Sequence, residues 1–453
     1  MKVRVVVLSI ALAAQLCASD AGNEGKGNPS PSQSPTVANV GTPMVDWSPA
    51  NLLPSWLTLG GQIRGRFEIP SGTSIINNAM DGYYASRLRV TLGIQPTSWL
   101  RFYAEAQDAR TAGYNSPVAP TTLYNPIDVR QLYFSVSHKE EGYVPLSLRA
   151  GRQELSFGGE RLIGPADWGM SRTFDAVDLT MGDGNHKVDL FAGSAVLIDD
   201  TRLDRHKPGE HFYGAYGSWK NPLPHLNLEP YVLFKTNKLV KSETSKIGDG
   251  LVMSPGIRAF GALPLRFDYV GEGIVQRGSY SSDKVVAHAY SGVLGWTVLN
   301  TSVKPRLSVE YSYASGDAGN KDGLRNTFDQ FYPSNHGYYG MIDQFGWKNL
   351  KNFRTGFDLQ PLRKFKLRTD YNTFNLANVK DSLYGSSGTS VVLNRAATSS
   401  RIGEEINTVG LYQWSKIWKF GAGFGHLFEG AYLKQSKADF GYSYPYVMFV
   451  GSF

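Results

Sequence analysis

From Leu57 onward, apolar and polar residues alternate with a period of two. In LTLGGQIRGRFE, residues 57–68, Leu57, Leu59, Ile63 and Phe67 share one face, and Thr58, Gln62, Arg64, Arg66 and Glu68 share the other. In SRLRVTLGIQ, Leu88, Val90, Leu92 and Ile94 oppose Arg87, Arg89, Thr91 and Gln95. In LRFYAEAQDAR, Leu100, Phe102, Ala104 and Ala106 oppose Arg101, Tyr103, Glu105 and Gln107. The same alternation returns later: Leu265, Phe267 and Tyr269 against Arg266 and Asp268; Leu307, Val309, Tyr311 and Tyr313 against Arg306, Ser308 and Glu310; Phe365, Leu367 and Tyr371 against Lys366, Arg368, Asp370 and Asn372. Alternation of this kind predicts strands with one apolar and one polar face. About 18 such segments of roughly 9 to 14 residues follow one another, the length a tilted strand needs to cross a bilayer.

The connectors sort by length. Short ones fall near residues 95, 183, 221, 262 and 361; long ones run over 69–83, 111–126, 155–172, 317–347 and 377–403. Short turns at one rim and long loops at the other are the plan of outer-membrane barrels, and a soluble sandwich or propeller has no reason to follow it. Trp99, Trp219, Trp296, Trp414 and Trp418 lie within a few residues of short turns, where a membrane interface favours rings that are half apolar and half wet. Hydrocarbon offers the backbone no water to bond, so the sheet has to close on itself. The fold class expected is all-β: a transmembrane antiparallel barrel of about 18 strands with short periplasmic turns and long extracellular loops, wide enough for an aqueous channel. The last segment, YPYVMFVGSF, carries a strand to an aromatic end at Phe453, as the closing strand of such a barrel does.

Ahead of the alternating region, MKVRVVVLSIALAAQLCAS has the positive, apolar and small-residue zones of a secretory signal, expected over 1–21. Residues 22–55 are rich in Gly, Pro and Ser and read as a flexible lead-in, leaving 56–453 for the barrel. The single cysteine, Cys17, falls within the signal, so neither a disulfide nor a thiol site is expected. No later stretch offers the about 18 consecutive apolar residues of a transmembrane helix. The net charge of +7 is spread without a Lys/Arg block, which argues against nucleic acid as a partner.

Charge matters more on the inward face. Arg64, Arg66, Arg87, Arg89, Arg101, Arg149, Arg258, Arg266, Arg306, Arg354 and Arg368 fall on polar parity, with Lys366 beside them and Glu68, Glu105, Asp268, Glu310, Asp358 and Asp370 among them. Two outcomes are open: a ladder of cross-strand ion pairs that holds the wall, or an electropositive lumen whose surplus arginines select anions and grip carboxylates.

The stretch GRQELSFGGERLIGPADWGMSRTFDAVDL, residues 151–179, has Gly and Pro clustered in its middle and no clean period, as expected of a long loop that enters the lumen. Gly151-Arg152-Gln153, Arg161-Leu162-Ile163-Gly164, Trp168 and Arg172-Thr173-Phe174-Asp175 in this stretch resemble the bacterial outer-membrane alginate export proteins. A second matching stretch is FDQFYPSNHGYYGMIDQF, residues 328–345, with His336, Gly337, Gly340 and Asp343. The resemblance implies an 18-stranded barrel whose arginine-rich constriction passes an acidic polysaccharide such as alginate, with outer-membrane lipid around it and periplasmic export partners. Carried over by motif, Arg152 and Arg161 become constriction candidates, with Asp175 as the partner that orients them. The expected substrate path is then Arg64, Arg66, Arg87, Arg89, Arg152, Arg161, Asp175, Arg354 and Arg368. One departure stands out: such exporters carry a long periplasmic turn that plugs the pore, and every turn here is short.

Other chemistry finds little support. The eight histidines have no metal-site spacing, and Asp317, Asp322, Asp329 and Asp343 lack the every-second-residue spacing of a calcium loop. There is no phosphate-binding glycine loop, and no cofactor is expected. The rivals to a polysaccharide exporter are a general porin for small anions or organic acids, an outer-membrane hydrolase, and a receptor that binds through its long loops. No Ser/His/Asp set stands out for the hydrolase, and the residues before Trp56 are too few for the plug of an energy-coupled transporter.

Overall fold

The structure, a computed structural model, describes residues 53–114, 122–319, 321–438 and 440–453. The expected signal segment, Cys17 and nearly all of the lead-in lie outside the described residues. Eighteen barrel strands follow in chain order. The first nine are β1 (Leu57–Glu68), β2 (Tyr83–Thr97), β3 (Leu100–Ala112), β4 (Asn125–His138), β5 (Leu146–Gln153), β6 (Phe174–Gly182), β7 (His186–Leu197), β8 (Glu210–Leu223) and β9 (Leu226–Lys241). The second nine are β10 (Ile247–Leu263), β11 (Phe267–Tyr280), β12 (Asp283–Thr297), β13 (Arg306–Ala314), β14 (Leu350–Leu362), β15 (Phe365–Leu376), β16 (Arg401–Gln413), β17 (Trp418–Glu429) and β18 (Tyr442–Ser452). Each strand pairs antiparallel with the next, and β1 pairs antiparallel with β18 from Gln62–Ser452 to Glu68–Tyr446. The seam continues with two backbone bonds between Gly61 and Phe453, 2.7 and 3.0 Å. The ring of Phe453 lies over Gly61, where a Cβ would come within 2.7 Å of it. The sheet is closed and leaves no edge in hydrocarbon.

The alternation sets the two faces. Leu59, Phe67, Leu88, Val90, Phe102, Leu132, Phe134, Val177, Phe353 and Phe424 are exposed on the outside, whereas Arg64, Arg66, Arg87, Arg89, Glu105, Gln107, Glu310 and Arg354 are buried on the inside. Two to eight residues make each inner turn, and the longest is 298–305. Trp99, Trp296 and Trp414 are exposed at or beside these turns. The outer connections are longer, at 69–82, 113–124, 154–173, 198–209, 315–349, 377–400 and 430–441; the exceptions are 242–246 and 281–282. Arg266 departs from expectation. It belongs to the turn 264–266 with a φ of 67° and is exposed, because the hairpin reverses there instead of continuing the strand.

The inward face is less uniformly polar than the alternation suggests. Phe212 on β8 is 1% exposed and faces inward beside lipid-facing Tyr213, and Phe174, Phe191, Tyr231, Leu233, Phe374 and Val450 are buried inward as well. They pack against Leu155, Ile163, Phe328, Tyr339, Phe345 and Trp347 of the loops 154–173 and 315–349. The core of the molecule is therefore in the barrel's outer half. Apolar wall residues make a dry seat for two loops that fold into the lumen.

Candidate functional site

The loop 154–173 is held to β1 and β2 by arginines that alternation aims inward. Arg64 and Arg87 stand directly opposite each other across the two strands, and so do Gln62 and Arg89. Such a cluster of like charges is unfavourable unless something compensates it. The loop supplies that compensation. Arg64 donates to the carbonyls of Asp167, 2.6 Å, and Gly169, 2.8 Å. Arg87 meets the Asp167 carboxylate at two points, 2.8 and 3.1 Å, and Arg89 meets it at 2.8 Å. Arg66 donates to the Trp168 carbonyl, and its guanidinium lies 4.2 Å from the centre of the Trp168 ring. Burial alone would raise the Asp167 carboxyl, but Arg87, Arg89 and Arg64 outweigh it and hold the group well below the usual carboxylate range.

Arg130 on β4 completes the clasp, bonding Glu105, Glu154 and the Ser171 hydroxyl, the last at 2.6 Å. Sequence alternation missed Arg130 because a bulge shifts the register of β4 between Gln131 and Val129. Five arginines at this clasp thus face four carboxylates: Glu68, Glu105, Glu154 and Asp167. The positive surplus is far smaller than the arginine count alone implies.

A second clasp fixes the loops to the opposite wall. Glu310 on β13 takes Arg161 of the first loop on one oxygen, 2.5 Å, and Arg354 of β14 on the other. Arg161 also donates to the Tyr339 hydroxyl, 2.8 Å, with its guanidinium 4.0 Å from the centre of the Tyr338 ring. Arg354 reaches the Gly337 carbonyl, 2.5 Å. Lys235 on β9 pairs with Asp329, 3.1 Å, and Gln276 on β11 makes two 2.8 Å bonds with the Asp329 backbone. Burial would raise the Asp329 carboxyl, yet Lys235 and Lys348 keep it below the ordinary range.

The two stretches singled out by family resemblance are the ones that meet. Ile163 bridges Tyr332 in parallel. Tyr332 donates its N–H to the Leu162 carbonyl, 2.7 Å, and accepts from Gly164, 2.9 Å. Ser334 donates to Glu160, 2.9 Å, and Arg172 reaches the Pro333 carbonyl, 3.1 Å. The His336 ring stacks on Trp168, 4.1 Å between centres and 8° from parallel, with Nδ1 2.7 Å from Asp343. Together the loops form one bridge across the lumen. On its outer side lies a cavity of about 550 Å³ whose lining carries Arg66, Arg130 and Arg172 but also Glu68, Asp81, Asp128, Asp204 and Asp343.

Two expected path residues sit elsewhere. Arg152 is directly opposite Leu132, which is 57% exposed to lipid, and Asp175 shares a face with exposed Val177. Their ion pair, 2.8 Å, therefore lies on the outside of the wall near the outer rim, with His206 3.9 Å from Asp175. The placement of Arg152 and Asp175 in the constriction is corrected accordingly: the strand's period of two turns them outward, while Arg149 and Gln153 turn inward. Arg64, Arg66, Arg87, Arg89 and Arg161 come together at the loop bridge, with Arg354 behind it. Arg368 lies farther down, between Asp358, 3.8 Å, and Asp370, 3.7 Å. It belongs to the ladder of wall ion pairs that includes Arg306 with Asp268, 2.6 Å, and Arg258 with Glu229, 2.6 Å.

At the inner mouth the balance changes. Arg101 on β3, Lys366 on β15 and Lys419 on β17 each lie within three residues of an inner turn and on the inward parity of their strands. None has an ion-pair partner among the described residues.

The profile of a family described as "Alginate export" matches residues 55–442. Among solved structures, Pseudomonas aeruginosa OccK8 (OprE) is similar with a TM-score of 0.59 and 11% identity, over 88% of this chain and 98% of that one. Pseudomonas aeruginosa OpdQ gives 0.57 and 11%, over 88% and 97%, and Acinetobacter baumannii OccAB2 gives 0.57 and 9%, over 88% and 99%. At these identities the likeness is one of fold, that of outer-membrane porins. Curated protein sequences give no significant match. The closed 18-stranded barrel and the profile match over most of its length place the protein in the bacterial outer membrane as a channel, and it belongs to the alginate export family.

Proposed function

We propose that the channel passes carboxylate-bearing solutes by diffusion, and that its substrate is an acidic polysaccharide loaded from the inner mouth. The observation that carries this is the set of three cations without ion-pair partners, Arg101, Lys366 and Lys419, at the entrance to a lumen whose next narrowing is built on arginines. Unpaired charge in a low-dielectric mouth concentrates counter-ions, and a polyanion gains from several cations at once. Family membership supports the polymer over a small solute. No covalent chemistry on the substrate is involved. The path proposed runs from the inner mouth past Arg368 and Arg354 to the loop bridge at Arg161, Arg64, Arg66, Arg87 and Arg89.

A second reading, a porin for small organic anions, is favoured by the bridge itself. Loops 154–173 and 315–349 are tied to both walls by buried bonds, which holds the bore narrow. Polyuronate added to single channels in a planar bilayer separates the two. Interruption of the current by the polymer from the inner-turn side supports export of a polysaccharide. Unchanged current with polymer, but block by small dicarboxylates, moves the substrate to the small anions. Block by neither overturns both.

A further inference from the structure

Just inside the inner mouth, three neighbouring strands bring four side chains into two rows. Register places Arg101, Ser135 and Arg149 in one row, and Gly93, Tyr103, Tyr133 and Gly151 in the next. All of these face the lumen, because Phe102, Leu132 and Phe134 between them are exposed to lipid. The two tyrosine rings stack, 5.1 Å between centres and 27° from parallel. The Arg101 guanidinium lies 5.7 Å from the centre of the Tyr103 ring and that of Arg149 5.4 Å from the Tyr133 ring, so a cation flanks each ring. Glycine stands at both ends of the row, and at the Gly93 end the Thr58 hydroxyl and the Arg101 guanidinium occupy the space a side chain would take. Gly151 has a φ of 128°, and a Cβ there would come within 2.8 Å of the Tyr133 backbone; at Gly93 it would come within 3.3 Å of the Arg101 guanidinium.

From this arrangement we infer a binding subsite for one acidic sugar unit, resting on the proposal above that the substrate is a polyuronate. A uronate has two recognisable parts. The C–H face of its pyranose ring is weakly positive and apolar, and it packs on the negative face of an aromatic ring. Its carboxylate takes two parallel N–H bonds from a guanidinium. Arg101 has no ion-pair partner among the described residues and is free for that role, whereas Arg149 is shared with Asp178, 3.2 Å. The tyrosine pair is half-buried, and the Tyr103 hydroxyl donates to Glu105 at 3.2 Å. A small inorganic anion would use only the arginine; the sugar uses both.

The test is block of single channels by short oligouronates added to the inner-turn side alone, compared with neutral oligosaccharides of equal length and with acetate. Wild-type protein should be blocked by the oligouronate at concentrations at least tenfold below those needed for the neutral sugar. Tyr133→Leu and Arg101→Gln should each weaken that block about tenfold while leaving chloride conductance within twofold; Tyr133→Leu keeps the anion selectivity of wild type, whereas Arg101→Gln also lowers it. Tyr103→Phe, which keeps the ring, should block like wild type. An unaltered block in Tyr133→Leu overturns the subsite, and so does equal block by the neutral sugar. Anion-selective current with no oligouronate block overturns it too, yet leaves the anion channel standing; cation-selective current in wild type removes the anion reading itself. Heat-modifiable mobility in gels confirms that each variant barrel has assembled, and unaltered chloride conductance confirms it independently.

Discussion

Arg87 on β2 and Asp167 on the loop 154–173 meet through two bonds, 2.8 and 3.1 Å, although the chain between them runs through three more strands. This pair converts a cluster of inward arginines from a bare positive ring into an anchor. Removing the acid should therefore uncover charge. Asp167→Asn keeps the side-chain shape and leaves Arg64 bonded to loop carbonyls, but frees Arg87 of its carboxylate and leaves Arg89 only Glu105, at 3.6 Å. The reversal potential in a salt gradient should shift towards stronger anion selectivity, with noisier current as the loop loosens. The carboxyl is held below its ordinary range, so its contribution is full above the unfolded value and is lost only as pH falls through the lower folded value. Acidification from neutrality to about pH 4 should leave the wild-type conductance steady as far as this group is concerned.

Glu310 bears two guanidiniums at once, Arg161 and Arg354, and all three side chains are at most 5% exposed. Glu310→Ala strands two buried charges and should cost about 3–5 kcal/mol. Urea unfolding in lipid vesicles would report the loss as a lower midpoint, and bridge opening would appear as larger conductance substates.

Arg152 offers a contrast with the clasp. Because its ion pair with Asp175 faces outward at the rim, Arg152→Ala should leave ion selectivity unchanged, while Arg87→Ala or Arg89→Ala shifts it. A selectivity change in Arg152→Ala as large as in Arg87→Ala would return this arginine to the path.

Val90 sits in the middle of β2 and is 48% exposed on the outer face. If that face meets hydrocarbon, Val90→Arg should destabilise the barrel by about 2–4 kcal/mol. Denaturant unfolding in a bilayer measures it; a cost near zero would mean that this face is not against lipid.

Much of the fold was legible because a closed membrane sheet obeys few rules strictly. A period of two, short inner turns and an apolar outer face follow directly from hydrogen-bond closure and lipid contact, and Leu88, Val90 and Phe102 display them in plain order. The lumen was less legible. Alternation aimed Arg64, Arg66, Arg87 and Arg89 inward correctly, but nothing local says that residues 167–170 come back to meet them. Arg152 was misplaced because a motif match carries no parity, whereas counting from Leu146 would have turned it outward. Arg130 hid behind a bulge, and Phe212 faces inward beside lipid-facing Tyr213 because the loop needs a dry seat. The return of the loop to the arginines is a long-range contact that no local pattern carries, whereas Arg152 and Arg130 are matters of parity along their own strands. The loop motifs around Ile163 and Tyr332 were recognisable as stretches, yet their mutual contact spans more than 160 residues.

The proposed anion path through this barrel fixes which ion carries the current. The most direct measurement is the reversal potential of single channels in a planar bilayer under a tenfold potassium chloride gradient. An anion path gives a potential of the sign set by chloride, moving towards zero in the triple variant Arg101→Gln, Lys366→Gln, Lys419→Gln. A potential of the sign set by potassium, or a wild-type barrel that carries no current, would contradict it.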